Sequence, residues 1–210
     1  MNDRARADDL RDWISRHLDP IEDCDAVDGV HLEADDGTLL SEPATPAAVL
    51  IGLIERPHGY NVLLTRRADT LRRHTGQVAF PGGRRDPGET AWETALREAE
   101  EEVGLDRRLV TLAGLSTPTV THSGYLITPV VGFIGEGFAL TPNPDEVAEI
   151  FETPFGFLMN PENYGRQEVD IGDGAIRHYY EMTHEQQRIW GVTAGILRAL
   201  YDRLYGAGLS

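Results

Sequence analysis

The stretch from Gly82 to Leu105 constrains the fold of this chain most strongly, because a loop rich in glycine and proline leads directly into a helical pattern. Thr90 is followed three residues later by Glu93, the spacing of a capping box, so we predict a helix that begins at about residue 90. Gly104 predicts its end, since glycine readily takes the left-handed conformation just past a last turn. At helical spacing, one apolar stripe forms the packing face: Trp92, Leu96, Ala99 and Val103.

Three carboxylates, Glu98, Glu101 and Glu102, fall on the other side of this predicted helix. They occupy its last turns, where the helix dipole favours cations, and Glu98 and Glu102 form a repulsive i,i+4 pair. One interpretation is an ordinary solvated face. The other is a divalent cation site, because Mg²⁺ and Mn²⁺ prefer carboxylate oxygens and would turn the repulsion into ligation. Arg97 lies four residues before Glu101 and can orient it, or can form an ordinary surface ion pair.

The length and composition restrict the class of protein. At 210 residues we expect one domain, with residues 1–45 forming an N-terminal helix and connection packed on the domain of residues 46–210. The net charge of −16 argues against a generic nucleic-acid or anionic membrane surface, and no apolar run reaches the ~20 residues of a membrane span. All 19 basic residues are arginine, which excludes a Schiff-base or P-loop lysine. Cys24 is the only cysteine, so we expect a reducing, cytoplasmic setting.

Hydrophobic periodicity predicts strands separated by one central helix, with further helices at both ends of the chain. This order indicates an α+β fold, an α/β/α sandwich with a mixed sheet between helices. The predicted helices cover residues 1–22 and 187–204, residues 145–151 form a short helix or turn, and the predicted strands are 47–55, 61–65, 107–116, 126–133, 166–171 and 175–182.

Arginines concentrate immediately before the central loop. Six of the 19 lie within 20 residues: Arg66, Arg67, Arg72, Arg73, Arg84 and Arg85. They could simply provide a soluble surface or partners for the glutamates. The alternative is a clamp for phosphate, which arginine contacts in a bidentate manner. Their position next to the candidate metal loop favours the clamp, so Arg66, Arg67, Arg72 and Arg73 are the candidate substrate-binding residues.

The spacing across the central stretch resembles that of a known family. The fixed positions Gly83, Glu89, Arg97, Glu98, Glu101, Glu102 and Gly104 match the Nudix box, G-x5-E-x7-R-E-U-x-E-E-x-G-U, with the small Ala99 where a bulkier aliphatic residue is usual. The resemblance implies a mixed sheet between helices. It also implies a hydrolase that depends on a divalent metal, Mg²⁺ or Mn²⁺, and acts on a nucleoside diphosphate linked to another group.

The segment of residues 63–83 is similar to the signature that precedes the Nudix box in coenzyme A pyrophosphatases. It shares the pattern L-L-T-x-R-[SA]-x3-R-x3-G-x3-F-P-G-G. This resemblance implies cleavage of coenzyme A or its derivatives to 4′-phosphopantetheine, or its acyl form, and 3′,5′-ADP. The alternatives are a Nudix hydrolase for ADP-ribose, NADH or a dinucleoside polyphosphate, and a non-catalytic Nudix-like ligand sensor. A small nucleotide is the expected partner, and a homodimer is among the expected assemblies.

The resemblance also suggests roles for individual residues. We expect Glu98 and Glu102 to ligate the metal, with Glu101 ligating directly or through water and the Gly83 carbonyl completing the shell. A general base is needed at pH 7. Glu101 is one candidate, and Glu146 or Glu149 on a later segment are the others; we assign Glu101, Arg97 and Glu149 as the catalytic set.

Overall fold

The computed structural model describes residues 3–22, 44–68, 76–170 and 176–206. Its elements are α1 (Asp3–Arg16), β1 (Thr45–Arg56), β2 (Gly59–Arg67), β3 (Val78–Ala79), β4 (Gly82–Arg84), α2 (Ala91–Val103), β5 (Val110–Leu115), β6 (Thr119–Val120), β7 (Tyr125–Ile134), β8 (Val147–Pro154), α3 (Phe155–Leu158), β9 (Gly165–Asp170), β10 (Ile176–His184), β11 (Gln187–Trp190) and α4 (Val192–Tyr205), with 3₁₀ turns at Arg107–Leu109 and Pro161–Asn163.

A mixed sheet of eight strands forms the centre of the fold. β1 and β7 lie parallel to each other over ten residue pairs, and the other pairings within this sheet are antiparallel. β1 pairs with β4 through its first half and with β2 through its second half. This division places β4, and the loop that follows it, at the start of the central strand.

Side chains of the central strands alternate between two apolar clusters, as the period of two in a strand requires. Leu50, Ile54 and Leu63 pack with α2 on one face of the sheet. Val62 and Leu64 pack with α1 and α4 on the other face. The predicted α+β architecture, a mixed sheet between helices, is therefore confirmed.

Helix α2 begins and ends as its sequence predicts. The Thr90 hydroxyl accepts from the Glu93 N–H, and the Glu93 carboxylate accepts from the Thr90 N–H at 2.8 Å, so both halves of the capping box are present. Gly104 takes the left-handed conformation, with φ of 68°. Local side-chain chemistry thus sets the position and length of the helix that carries the glutamates.

Some element predictions were wrong. Gly82–Arg84, the start of the predicted glycine and proline loop, is strand β4, because it pairs with β1. Residues 145–151 were expected to form a short helix or turn, but Val147–Pro154 is strand β8, because it pairs with residues 61–67 of β2. Helix α4 begins at Val192 rather than at residue 187, since Gln187–Trp190 pairs with β10 as β11. Residues 171–175, between the predicted strands 166–171 and 175–182 and including one end residue of each, lie outside the described residues.

Strands β9, β10 and β11 form a separate antiparallel sheet. It packs on the main body through buried residues such as Met182 and Ile189, which belong to the same cluster as Val62 and Leu64. In the described part of the chain, no helix combines the length and the apolar character needed to cross a membrane.

Candidate active site

Strand β4 lies directly against the last two turns of α2. Gly83 pairs with Ala48 of β1, and the neighbouring Gly82 donates its N–H to a carboxylate oxygen of Glu102 at 3.2 Å. A Cβ atom built on Gly83 would lie 2.5 Å from the carboxyl carbon of Glu98. Glycine at position 83 is therefore what lets this carboxylate contact the main chain.

Arg97 links the loop to the glutamates. Its Nε and Nη2 donate to the two carboxylate oxygens of Glu89 at 2.7 and 3.0 Å, and Nη2 also donates to the Arg84 carbonyl. Its Nη1 donates to Glu98 at 2.8 Å and to Glu101 at 3.2 Å. Hydrogen bonds from Arg97 lower the pKa of Glu89 to about 2. Arg97 thus holds two of the candidate ligands in fixed orientations.

The three candidate metal ligands differ in burial. The side chain of Glu101 is 55% exposed, that of Glu98 is 15% exposed and that of Glu102 is 4% exposed. The alternative of an ordinary solvated face therefore does not hold for Glu102, which lies beneath β4. The helical wheel could not reveal this, because the covering residues come from elsewhere in the chain.

Burial makes the charged form of Glu102 unfavourable. It raises the pKa of this carboxyl to about 7, although the Gly82 N–H and the charge of Arg67 act in the opposite direction. Burial also raises the pKa of Glu98, opposed by its hydrogen bond and charge interaction with Arg97. The negative charges of these two neighbouring carboxylates are only partly neutralised by the protein. A bound cation would stabilise their charged forms.

Arg67 is the candidate substrate-binding residue that reaches this cluster. Its Nη1 lies 3.8 Å from a carboxylate oxygen of Glu102. Its buried Nε has no hydrogen-bond partner among the described residues. The guanidinium therefore retains donor capacity next to the glutamates. Arg72 and Arg73 lie outside the described residues.

Glu146 approaches the same cluster from the segment before β8. Its negative charge raises the pKa of both Glu98 and Glu102. The segment is attached to the site through its main chain, since Asn143 donates its N–H to the Glu102 carbonyl and Ala68 donates its N–H to the Glu146 carbonyl. Glu146 is thus a fourth carboxylate close enough to influence the cluster.

The structure does not bring Arg66 and Glu149 into this cluster. Arg66 follows Leu64 by two residues, and Glu149 precedes Phe151 by two residues, so both lie on the α4 face of the sheet. There the Arg66 Nε donates to Glu149 at 3.3 Å. Arg67 lies on the α2 face with Glu102. Arg66 and Arg67 of the predicted phosphate clamp therefore lie on opposite faces of the sheet.

The residues that hold this arrangement together include two that sequence reasoning missed, Asn143 and Gln187. Gln187 donates its Nε2 to Glu149 at 3.0 Å. Both belong to segments remote in sequence from α2, and neither carries a charge or a motif. No signal in the sequence could have identified them.

The donor chemistry of the cluster fits a hard divalent cation. Carboxylate oxygens of Glu98 and Glu102, together with the main-chain carbonyl of Gly83, are the ligand type that Mg²⁺ and Mn²⁺ prefer. Among the described residues, no group of three or more His, Cys, Asp and Glu side chains is already arranged to hold a metal. In this structure Arg97 Nη1 contacts both Glu98 and Glu101, two of the candidate ligands.

Comparison with known proteins gives a consistent result. The sequence model of the NUDIX domain matches residues 44–170. The chain is 44% identical over 160 residues to a protein described as "Uncharacterized Nudix hydrolase NudL" from Yersinia enterocolitica, covering 75% of this chain and 80% of that one. A protein of the same description from Yersinia pestis is 46% identical over 160 residues, covering 75% and 79%. The crystal structure of the MutT protein from Methanosarcina mazei Go1 has the same fold, with a TM-score of 0.51, 17% identity, and coverage of 81% of this chain and 99% of that one.

The match to the domain spans more than half of the chain, and the relatives are similar over most of their length. Hydrolases of this family act on phosphorus anhydrides and generally use divalent cations such as Mg²⁺ or Mn²⁺. The chain described here is therefore an enzyme that belongs to the Nudix hydrolase family.

Proposed function

We propose that this Nudix hydrolase cleaves the diphosphate of coenzyme A, or of its derivatives, to 4′-phosphopantetheine or its acyl form and 3′,5′-ADP. The observation that carries the proposal is the segment from Leu63 to Gly83, whose pattern is similar to the signature of coenzyme A pyrophosphatases. Coenzyme A bears a 3′-phosphate in addition to its diphosphate. A concentration of arginines before the catalytic loop provides the charge that such a substrate requires.

In this proposal Glu98 and Glu102 hold Mg²⁺ or Mn²⁺, with Glu101 and the Gly83 carbonyl contributing directly or through water. The bound ion would neutralise charge on the diphosphate and acidify a water molecule. Side chains of the protein would orient the ligands and bind the substrate. Arg97 orients Glu98 and Glu101, and Arg67 binds phosphate oxygens beside Glu102. Water adds to one phosphorus, the bond from this phosphorus to the bridging oxygen breaks, and the water proton passes to a carboxylate base.

For the base, the contacts support Glu146 over Glu149. The charge of Glu146 acts on both Glu98 and Glu102, whereas the Glu149 carboxylate is engaged by Arg66 and Gln187 on the α4 face. Glu101, the most exposed of the three α2 carboxylates, stays a candidate. Arg72 and Arg73 stay candidate phosphate-binding residues, whereas Arg66 contacts Glu149 on the α4 face of the sheet. A cytoplasmic location and a homodimer stay predictions.

A substrate panel tests the proposal. The enzyme is incubated with Mg²⁺ or Mn²⁺ and with coenzyme A, acetyl-coenzyme A, ADP-ribose, NADH or diadenosine tetraphosphate, and products are identified by mass. The expected result is the highest kcat/KM for coenzyme A or its thioester, with 3′,5′-ADP as the common product. Faster cleavage of ADP-ribose, NADH or the dinucleoside polyphosphate would reject coenzyme A and leave the hydrolase assignment intact.

A further inference from the structure

The cluster formed by Arg66, Glu149 and Gln187 joins three strands on the face of the main sheet opposite α2. Arg66 and Glu149 are cross-strand neighbours on β2 and β8, and their side chains are 3.3 Å apart. Gln187 comes from β11, in the separate three-stranded sheet, and donates to the same Glu149 oxygen at 3.0 Å. The Gln187 side chain is therefore a polar link from this second sheet to β8.

Each of the two main-sheet strands in this cluster adjoins a residue that lies near the candidate metal ligands of α2. On β2, Arg67 directly follows Arg66 and reaches Glu102. Just before β8, Glu146 precedes Glu149 by three residues. Its N–H donates to the Asn143 carbonyl at 3.0 Å, and the Asn143 N–H donates to the Glu102 carbonyl at 2.9 Å. The Ala68 N–H donates to the Glu146 carbonyl at 2.8 Å, so the two strand ends are also joined by their main chains.

The pairing between β2 and β8 is irregular at this point. Its register shifts between Arg66 and Arg67, which pair with Glu149 and Val147 respectively. A bulge bends the strand locally and changes the direction in which the neighbouring side chains project. The Arg66–Glu149 contact lies directly beside the bulge that sets the direction of Arg67.

The position of Gln187 is itself well defined. It pairs with His184 across a two-residue turn in which Glu185 has φ of 53°, the left-handed backbone that tight hairpin turns use. Two residues further along β11, Ile189 is fully buried. The following helix is tied to β3 by a hydrogen bond of 2.9 Å from the Thr193 hydroxyl to the Val78 carbonyl. Gln187 thus projects from a rigid support.

We propose that Gln187 is a positioning residue for the hydrolase: through Glu149 and Arg66 it fixes the end of β2, which carries Arg67, and the start of β8, which directly follows Glu146. The second sheet, which extends beyond the part of the chain matched by the NUDIX domain, then contributes directly to the geometry of the reaction centre. This inference rests on the proposed roles of Arg67 and Glu146, but not on coenzyme A as substrate.

The variant Gln187→Glu tests the proposal, because it keeps the shape of the side chain and replaces a donor to Glu149 with a second carboxylate. We expect kcat to fall about ten-fold with KM little changed, since small displacements of catalytic groups reduce turnover strongly. The assay uses whichever compound of the panel the unmodified enzyme cleaves fastest. Hydrogen exchange at the Ala68 amide, which should become faster, gives a second readout that does not depend on turnover.

Gln167→Glu is the matched control. Gln167 donates to Glu181 at 2.8 Å within the same small sheet, so the change creates the same pair of carboxylates away from β2 and β8. It should alter the melting temperature to a similar extent but leave kcat and Ala68 exchange unchanged. Equal effects of both variants on kcat, or unchanged kcat and Ala68 exchange in Gln187→Glu, would overturn the proposal.

The double variant Glu149→Gln/Gln187→Glu exchanges donor and acceptor and restores the contact. Recovery of most of the kcat lost in Gln187→Glu is the expected result. If Glu149 were instead the catalytic base, Glu149→Gln and the double variant would both be inactive, and that outcome would also reject the positioning role.

Discussion

At the scale of single residues, the absence of a side chain at Gly83 allows the Glu98 carboxylate to contact the main chain of β4. A methyl group at position 83 would lie 2.5 Å from the Glu98 carboxyl carbon. The atom that would have to move belongs to the end of a flexible side chain, so Gly83→Ala should fold but displace a ligand.

We expect Gly83→Ala to lower kcat at saturating Mg²⁺ by at least about ten-fold, with a melting temperature close to that of the unmodified enzyme. Gly156→Ala serves as the control, since a Cβ at that position meets nothing within 4 Å. Steady-state kinetics and thermal unfolding provide the measurements. Full activity in Gly83→Ala would mean that Glu98 does not act at this loop.

The burial of Glu102 predicts a pH dependence of stability. Its pKa in the folded protein is about 7, above the ordinary value of 4.5, so the folded state holds this proton more tightly than the unfolded chain. The stabilisation from this group is complete below pH 4.5 and is lost as pH rises through 7.

The variant Glu102→Gln has no ionisable group at this position, so it should not lose stability as pH rises through 7. In the presence of a chelator, the variant should be more stable than the unmodified protein at pH 8 by on the order of 3 kcal/mol, with little difference at pH 4.5. Denaturant unfolding at a series of pH values measures the difference. The same variant should have lost most of its kcat, and a stability difference that does not change with pH would refute the assigned pKa.

At the scale of elements, residues at the two ends of α2 determine where this helix begins and where it stops. Thr90 and Glu93 exchange hydrogen bonds, and Gly104 terminates the helix. Thr90→Ala should reduce the free energy of unfolding by about 1 kcal/mol, because the N-cap side chain is lost. Thr117→Ala, in the exposed loop between β5 and β6, should have almost no effect in the same urea titration. Equal stability of the two variants would show that the capping box contributes little.

These local signals explain which elements the sequence could predict. The limits of α2 and the strands β1 and β7 follow from caps and apolar periodicity. Strand β8 does not, since its first residues resemble a helix start and only pairing with β2 makes them a strand. The same holds for β11, whose short pattern continues into that of α4.

Some features of the candidate site can likewise be predicted from the sequence, and others cannot. The spacing from Gly83 to Glu102 identifies the carboxylates, because they share one helix with a fixed period. The burial of Glu102 and the separation of Arg66 from Arg67 depend on β4 and on the alternation of β2. Such contacts between distant segments leave no local pattern in the sequence.

At the scale of the whole molecule, the apolar cluster on the α4 face draws residues from outside the matched domain. Ile14 and Leu18 come from before it, and a larger set comes after it: Met182, Ile189, Ala194, Ile196, Leu197 and Leu200. The segment of residues 44–170 therefore lacks a large part of the apolar cluster that covers this face of its main sheet.

We expect the isolated segment 44–170 to lack a cooperative thermal transition and to aggregate, because the exposed apolar surface has no replacement. Calorimetry and a proton NMR spectrum would measure this, with the full chain as the control. A well-dispersed spectrum and a sharp transition would show that the segment is an independent folding unit.

The central claim is that the carboxylates of Glu98 and Glu102 share a divalent cation beside Gly83. Anomalous diffraction from crystals grown with Mn²⁺ tests this most directly. We predict a strong peak within coordination distance of both carboxylates and close to the Gly83 carbonyl, and its loss in Glu102→Gln crystals. Absence of a peak at this position in the unmodified enzyme, with the glutamates still held only by Arg97 and the Gly82 N–H, would contradict it.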